Sequence, residues 1–414
     1  MSERRALATA AVRMLAAGAF GLTACRAAPP AEVSSDVPAM RVRDSAGVRL
    51  VSSGFAASDS GPLLSVQDTL LNGAQSRDEA VIGLGSLQPL GDSSFVFFSA
   101  SGPALWLVPR DGEAPVPLAR DSIGARALLL PWQRDSLLLW DAEAHRLSRV
   151  TAAGVGIAVT PAYASERLAT ISGALEDGTL VGVTITPPGE HALGHTRAPA
   201  ALLRFAADGA FVDTLREFRG PERVVQAGPA GGEPGQRPMR ALSVPFGRAT
   251  LWTVGRTSVL LFDTERCDIE RVDAEGRLLQ RLDIGCPIEA VTERDKRQFL
   301  AEVLASARSR ADSTVRRRFV EQATFPPTKA TASGLLTDAW DRIWVRRPVS
   351  SPDEAWRWQV FEADGTPIGT LRLGRDWRIA AVRDRELLVV ANDREDAPPV
   401  VARVALPAAL AAPR

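Results

Sequence analysis

Residues 127–154 read ALLLPWQRDSLLLWDAEAHRLSRVTAAG, and this stretch decides the fold. An apolar run, Ala127 to Leu130, precedes a polar turn and a second run from Asp135 to Asp141. A third segment leads through Val150-Thr151-Ala152-Ala153 to Gly154. Runs this short, bounded by turn residues, read as strands rather than helices. The closing glycine supplies the positive φ that a tight hairpin turn demands. The unit is therefore three or four antiparallel strands joined by tight turns.

The same turn recurs outward in both directions. It appears as Val42-Arg43-Asp44-Ser45-Ala46-Gly47 and Val108-Pro109-Arg110-Asp111-Gly112 before the quoted stretch. After it come Phe205-Ala206-Ala207-Asp208-Gly209, Val272-Asp273-Ala274-Glu275-Gly276 and Phe361-Glu362-Ala363-Asp364-Gly365. A β-rich strand precedes each, as in Phe95-Val96-Phe97-Phe98 or Ser258-Val259-Leu260-Leu261-Phe262. Gly112 and Gly154 lie 42 residues apart, about the length of a four-stranded propeller blade.

The repeat predicts blades near 79–121, 123–163, 167–218, 243–286, 328–374 and 377–406. The last lacks a fourth strand, which either Gly47 to Ser52 or Leu63 to Leu70 can supply, closing the ring and removing two free edges. Two insertions interrupt the series. One is the Gly/Pro-rich stretch 219–238; the other, 289–322, breaks the alternation. There Thr292 with Asp295 has the form of a capping box, and Phe299, Leu300, Val303 and Leu304 recur at helical spacing. The expected fold is all-β: a six-bladed β-propeller of four-stranded antiparallel blades over residues 40–410, closed by an N-terminal strand, with one helical insertion near 289–322.

The first 25 residues have another role. Arg4, Arg5 and Arg13 make a basic start before the apolar and small run Met14 to Ala24, which is too short to span a bilayer. It ends Leu22-Thr23-Ala24-Cys25, which resembles a lipobox and implies that Cys25 is acylated and becomes the mature N-terminus. Residues 26–39, with Pro29, Pro30, Ser34 and Ser35, read as a flexible tether. The expectation is an exported protein, lipid-anchored to a bacterial envelope, with its domain in the periplasm or at the cell surface. In that compartment Cys267 and Cys286, which flank the hairpin at Gly276, can form a disulfide; the alternative is two small buried thiols.

From Asp44-Ser45-Ala46-Gly47-Val48-Arg49-Leu50 through Trp140-Asp141 and Arg146-Leu147 to Gln359-Val360-Phe361-Glu362-Ala363-Asp364-Gly365, the chain resembles the six-bladed, NHL-repeat-like β-propeller lipoproteins of bacteria. The resemblance covers nearly all of residues 40–406. One departure is that the glycine-rich segment usual between the first two blades is reduced to Asp121-Ser122-Ile123-Gly124.

Composition narrows the function. Lys+Arg and Asp+Glu each total 49, for a formal net charge of zero. Nothing in that balance draws the chain onto nucleic acid or an anionic bilayer. Lys296 and Lys329 are the only lysines, and the excess of Arg reads as genome composition. The only asparagines are Asn72 and Asn392, and the histidines are His145, His191 and His195. Calcium cages, imidazole metal sites and general-base networks draw on these residue types, so no cofactor is expected.

Four candidate sites remain. His191 and His195 lie four apart, but the surrounding prolines and glycines read as a solvated loop. Asp92, Asp135, Asp141, Asp177, Asp263 and Asp341 open or end second strands and can gather into an acidic rim; the alternative is that each satisfies turn backbone. Trp356 and Trp358 share one strand face and are the tryptophans best placed for stacking on a sugar or peptide. The Arg-rich segment 308–318 is interrupted by acids and reads as a solvated helix face. The sum is a non-enzymatic scaffold that presents loops to a protein or glycan partner and meets the membrane through its lipid only. The alternative is a divalent-cation-dependent hydrolase or lactonase using the central channel.

Overall fold

Phe95 to Phe98, Leu137 to Trp140 and Val259 to Phe262 are apolar without a break. A strand of that kind has no face to offer water and must be covered on both sides. The computed structural model satisfies this requirement by stacking sheets face to face. It describes residues 40–53, 61–72, 84–91, 94–99, 104–109, 114–120, 123–124, 127–133, 135–159, 169–186, 194–227, 239–305, 310–321, 323–349, 354–391 and 400–411. Cys25, the leader and the tether lie outside these residues, as do Asp92, His191 and residues 228–238.

Four strands come first: β1 (Arg41–Ser45), β2 (Val48–Ser52), β3 (Leu63–Leu64) and β4 (Asp68–Asn72). Four-stranded units follow. The first holds β5 (Leu84–Leu90), β6 (Ser94–Ser99), β7 (Ala104–Pro109) and β8 (Val116–Arg120). The second holds β9 (Ala127–Gln133), β10 (Ser136–Asp141), β11 (Arg146–Thr151) and β12 (Gly154–Val159). The third has five strands: β13 (Thr170–Ala174), β14 (Leu180–Ile185), β15 (Gly194–Phe205), β16 (Phe211–Ala227) and β17 (Met239–Ser243). The fourth is β18 (Thr250–Val254), β19 (Val259–Asp263), β20 (Asp268–Val272) and β21 (Leu278–Asp283), followed by helices α1 (Glu293–Ala305) and α2 (Arg310–Glu321). The fifth is β22 (Gly334–Thr337), β23 (Ile343–Arg347), β24 (Trp356–Phe361) and β25 (Pro367–Leu373). The sixth is β26 (Trp377–Val382), β27 (Glu386–Ala391) and β28 (Val400–Ala405).

Among the described residues these strands make six sheets, antiparallel within each unit. Both N-terminal candidates are used, in different places. β2 runs parallel to β21 and extends the fourth sheet, whereas β4 pairs antiparallel with β28, Leu71 opposite Val401. Between them β3 lies parallel to β25. Residues 40–53 and 61–72 thus cover the outer strands of three successive sheets.

Six apolar clusters fill the spaces between sheets, each drawing on two of them. Phe98 and Leu105 of the first sheet meet Leu129 and Leu139 of the second. Trp140 meets Ile171 and Phe205 of the third, and Val181 and Leu202 meet Val259 and Leu261 of the fourth. Phe262 meets Val345 and Phe361 of the fifth, and Trp344 and Trp358 meet Leu387 and Val389 of the sixth. The last cluster joins Leu388, Val401 and Leu71 to Phe97 and Trp106 of the first sheet.

One of the recurrent turn glycines, Gly276, answers to this stacking as well as to hairpin geometry. Gly276 has φ +78, and a Cβ there would lie 2.6 Å from the Leu215 carbonyl oxygen of β16. A side chain would therefore meet neighbouring backbone as well as a disfavoured φ.

One expectation is corrected. Residues 219–227 are no loop insertion: β16 continues through Gly220 and Pro221 to Ala227 and pairs with β15 and β17, shifting register by bulges between Arg197 and Pro199. The bulges absorb the residues that break the pattern. The helical insertion expected near 289–322 is present and holds two described helices, α1 and α2. The Thr292 box does form: Asp295 Nα donates to Thr292 Oγ1 at 3.2 Å, and Thr292 Nα donates to Asp295 Oδ2 at 2.8 Å. Lys329 Nζ, buried, closes on Asp295 at 2.9 Å. At the root of this insertion Cys267 and Cys286 are bonded, with Cα atoms 5.8 Å apart.

The β4–β28 pairing is directly testable. Leu71→Cys combined with Val401→Cys is expected to form a spontaneous crosslink under oxidising conditions, seen as faster migration without reductant and a higher Tm. Two free thiols in the folded protein would rule the pairing out.

Candidate functional site

In an antiparallel sheet, the turn from first to second strand and that from third to fourth share one end. The second-to-third turn and the exit to the next sheet share the other. In this chain the two ends differ in kind. At the tight-turn end, acids satisfy backbone: Asp177 accepts from Thr179 N at 2.8 Å, Asp364 from Thr366 N at 2.9 Å and Asp341 from Arg256 N at 2.7 Å. The opposite end carries the start of β15, the end of β16, the segment 244–249 and both helices. Cross-links make it continuous over the third to fifth sheets. Thr331 Oγ1 donates to Thr264 O at 2.8 Å, and the rings of Phe246, Phe299 and Phe325 pack together at 6.0–6.3 Å.

The acidic rim does not assemble. Asp135, Asp177 and Asp341 open their strands at the tight-turn end, while Asp141 and Asp263 end theirs at the other. Asp141 is buried and accepts from Gly124, Glu143 and Ala144 backbone N–H groups. Burial works to raise its pKa, but those hydrogen bonds and Arg146 hold it below its usual range. It is a turn-forming carboxylate.

At the elaborated end a cavity of about 420 Å³ is lined by His195, Thr196, Arg197, Arg219, Glu222, Arg248 and Glu265. The extension of β15 and β16 beyond β14 positions the first five, and the turn after β19 brings Glu265. Arg197 uses its planar fork fully. Nε donates to Gly220 O (3.0 Å), Nη1 to Asp263 and Glu265 (3.2 and 2.8 Å), and Nη2 to Arg219 O and Thr250 Oγ1 (both 3.1 Å). Glu222, buried, receives Arg248 N (3.0 Å), Nε (3.1 Å) and Nη2 (3.1 Å). Burial alone would raise the Glu222 pKa; hydrogen bonds from Arg248, its charge and His195 reverse the sign and hold it low. The Arg248 pKa is raised in turn, chiefly by the hydrogen bond with Glu222.

His195 is on strand β15 opposite Val224, not in a solvated loop, because β16 runs far enough to pair with it. Its Nδ1 faces Glu222 Oε1 at 3.3 Å. Among the described residues no group of three or more His, Cys, Asp and Glu side chains is placed to hold a metal ion. The arginines and glutamates of this cavity come from positions up to 68 residues apart, with no motif to link them in the sequence.

The two tryptophans are not an exposed platform. Trp358 is 4% exposed and belongs to the core between the fifth and sixth sheets. Trp356 is half-buried, with the guanidinium of Arg346 4.5 Å from its ring centroid and that of Arg375 at 4.9 Å. Period-two spacing put both on one face correctly, but that face is covered by the next sheet.

No family model matches the sequence, and no curated protein matches it. Among solved structures the chain is similar to a Bacteroides fragilis protein of inferred export, at 8% identity, 86% of this chain and 99% of that one, TM-score 0.45. It is similar to a Bacteroides vulgatus member of the DUF4221 family, at 9% identity, 83% and 94% coverage, TM-score 0.43. A third is regucalcin, a calcium-binding protein of Agrobacterium tumefaciens, at 13% identity, 83% and 96% coverage, TM-score 0.38. Its own sheets make this a mostly β protein of propeller-like fold.

Because the folded pKa of Glu222 is lowered, its contribution to stability is complete above the ordinary carboxylate range and is lost as pH falls through the folded value. Glu222→Gln is expected to cost about 2–4 kcal/mol at neutral pH. In urea unfolding across a pH series, the gap between variant and parent should narrow below about pH 4. An undiminished gap at pH 3 would remove the charge from the explanation.

Proposed function

We propose that residues 40–410 form a closed six-bladed propeller of the NHL-repeat-like kind. It is exported behind the leader 1–25, held to the envelope by acyl groups on Cys25 and the tether 26–39, and works as a non-enzymatic binding scaffold. The elaborated end, with its β15–β16 extension and helices, meets a protein or glycan partner. Support for closure comes from the succession of interfaces, in which the sixth sheet packs on the first, and from β4 completing the sixth sheet. The Leu71–Val401 crosslink bears on it directly.

One observation favours a scaffold over a cation-dependent hydrolase. The first strands of neighbouring sheets approach one another: β5 with β9, β9 with β13, β13 with β18, β18 with β22, and β26 with β5. These strands would line a central channel. Their sequences, LGSLQPL, ALLLPWQ, TISGA, TLWTV, GLLT and WRIAAV, contain no Asp, Glu, His or Asn. A divalent cation on the axis needs several such oxygens or nitrogens, and this donor set does not fit one.

The scaffold reading expects calcium, magnesium and zinc each to leave the Tm unchanged within about 1 °C, since a ligand stabilises only what it binds. A saturable rise of several degrees would return the hydrolase reading. For the anchor, Cys25→Ala is expected to abolish incorporation of labelled fatty acid and to shift the chain from membrane to soluble fraction. Retained label would place the acylation elsewhere.

A further inference from the structure

The cavity at the elaborated end has a buried floor and an open rim, and the two differ in what they leave unused. The side chains of Arg197 and Glu222 are 7% and 4% exposed and are engaged as described above. Backbone fixes the floor as well: Glu222 N donates to Arg248 O at 2.8 Å. Around it three guanidinium groups, Arg197, Arg219 and Arg248, meet three carboxylates, Asp263, Glu265 and Glu222, so the charges cancel. The rim keeps spare capacity of both kinds. The Arg219 side chain is 73% exposed and lies 4.0 Å from Glu265, beyond hydrogen-bond reach, so its fork of donors stays open. Each Glu265 oxygen takes one arginine N–H, from Arg248 at 2.9 Å and Arg197 at 2.8 Å, and keeps a lone pair. Glu222 is held as a carboxylate and can only accept, so a neutral His195 carries its proton on Nδ1 and presents Nε2 as an acceptor.

We propose that this cavity binds a neutral carbohydrate, one sugar unit of a glycan held through neighbouring hydroxyl groups. The inference rests on the scaffold reading and narrows its partner from protein or glycan to glycan. A hydroxyl donates and accepts at one atom. It can therefore take an N–H from Arg219 and give its own proton to Glu265 or His195 Nε2 without displacing an existing pair. A ligand carboxylate would compete with Glu265 and Glu222 for the arginines, and an ammonium would compete for the carboxylates. Either leaves a charge unmatched beside a buried floor, which is costly. The seven lining residues are all polar or charged, so the site offers nothing to the apolar side chains that anchor a peptide. Its volume, about 420 Å³, is that of a small-molecule pocket. The network on the floor is complete before any ligand arrives, so little ordering opposes binding.

The test is a glycan array carrying neutral, carboxylated and sulfated sugars, probed with the full chain, followed by calorimetry with the neutral glycan that binds most tightly. Neutral glycans are expected to dominate the array. Arg219→Ala and His195→Ala should each weaken that binding about tenfold or more, the loss expected for a hydrogen bond to a charged or strongly polar group. The ligand-free Tm should move by less than about 2 °C in either variant, because both side chains lie at the open rim. A blank array, a preference for acidic sugars, or parental affinity in both variants overturns the proposal. A blank array with unchanged cation melts defeats this inference alone and leaves the scaffold with a protein partner. A saturable rise in Tm with a divalent cation defeats the scaffold reading itself, so the two failures are distinct.

Discussion

The second strand of each sheet is apolar on both faces, and the rest of the architecture follows from covering it. β10 is buried at all six positions, and β6, β14, β19 and β27 nearly so. A single sheet cannot bury such a strand; it needs a neighbour on each side. That requirement explains why six interfaces accompany six sheets and why large rings such as Trp106, Trp140 and Trp344 lie between them. It also accounts for the glycine at the third-to-fourth turn of the fourth sheet, Gly276, where Leu215 backbone of the preceding sheet comes within contact distance.

Stacking leaves outer strands with unpaired backbone, a hazard natural sheets must manage. β2, β3 and β4 cover three of these edges, and the extension to β17 lengthens the third sheet. Arginine does much of the joining between sheets. Arg204 bridges Asp213 and Ala274 O, and Arg216 reaches from β16 to Glu270 on β20. Arg342 ties Asp338 to the C-terminal turn at Leu410 O, with Trp344 Nε1 on the same carboxylate. Each contact uses several donors of one planar fork, a task for which lysine's point charge is poorly suited. The excess of arginine over lysine thus has structural uses beyond genome composition.

Much of the fold was legible because its cues are local. Unbroken apolar runs marked the second strands, Asp-Gly pairs marked the turns, and Thr292 with Asp295 marked the start of α1. The illegible parts depend on distant partners. Gly220 and Pro221 look like loop residues until β15 pairs with Arg219 and Glu222 on either side of them across a bulge. Trp358 has the spacing of an exposed platform until the sixth sheet covers it. His195 meets Glu222, and Arg346 meets Trp356, through folding alone; no spacing rule links them. Which of two N-terminal stretches would join the last sheet could not be read either, since both alternate suitably and each serves a different edge.

The pairing of β4 with β28 also bears on biogenesis. Asp68 and Arg403 form an ion pair across 335 residues of chain. A ribosome or translocon delivers the first of these long before the second, so β4 waits, unzipped, through the synthesis of every intervening sheet. Loop closure over that span carries an entropic cost and slows folding. The five earlier sheets can assemble as the chain emerges, but the sixth must await synthesis of β28. Until then the nascent protein exposes the apolar edge of β4 that β28 later covers.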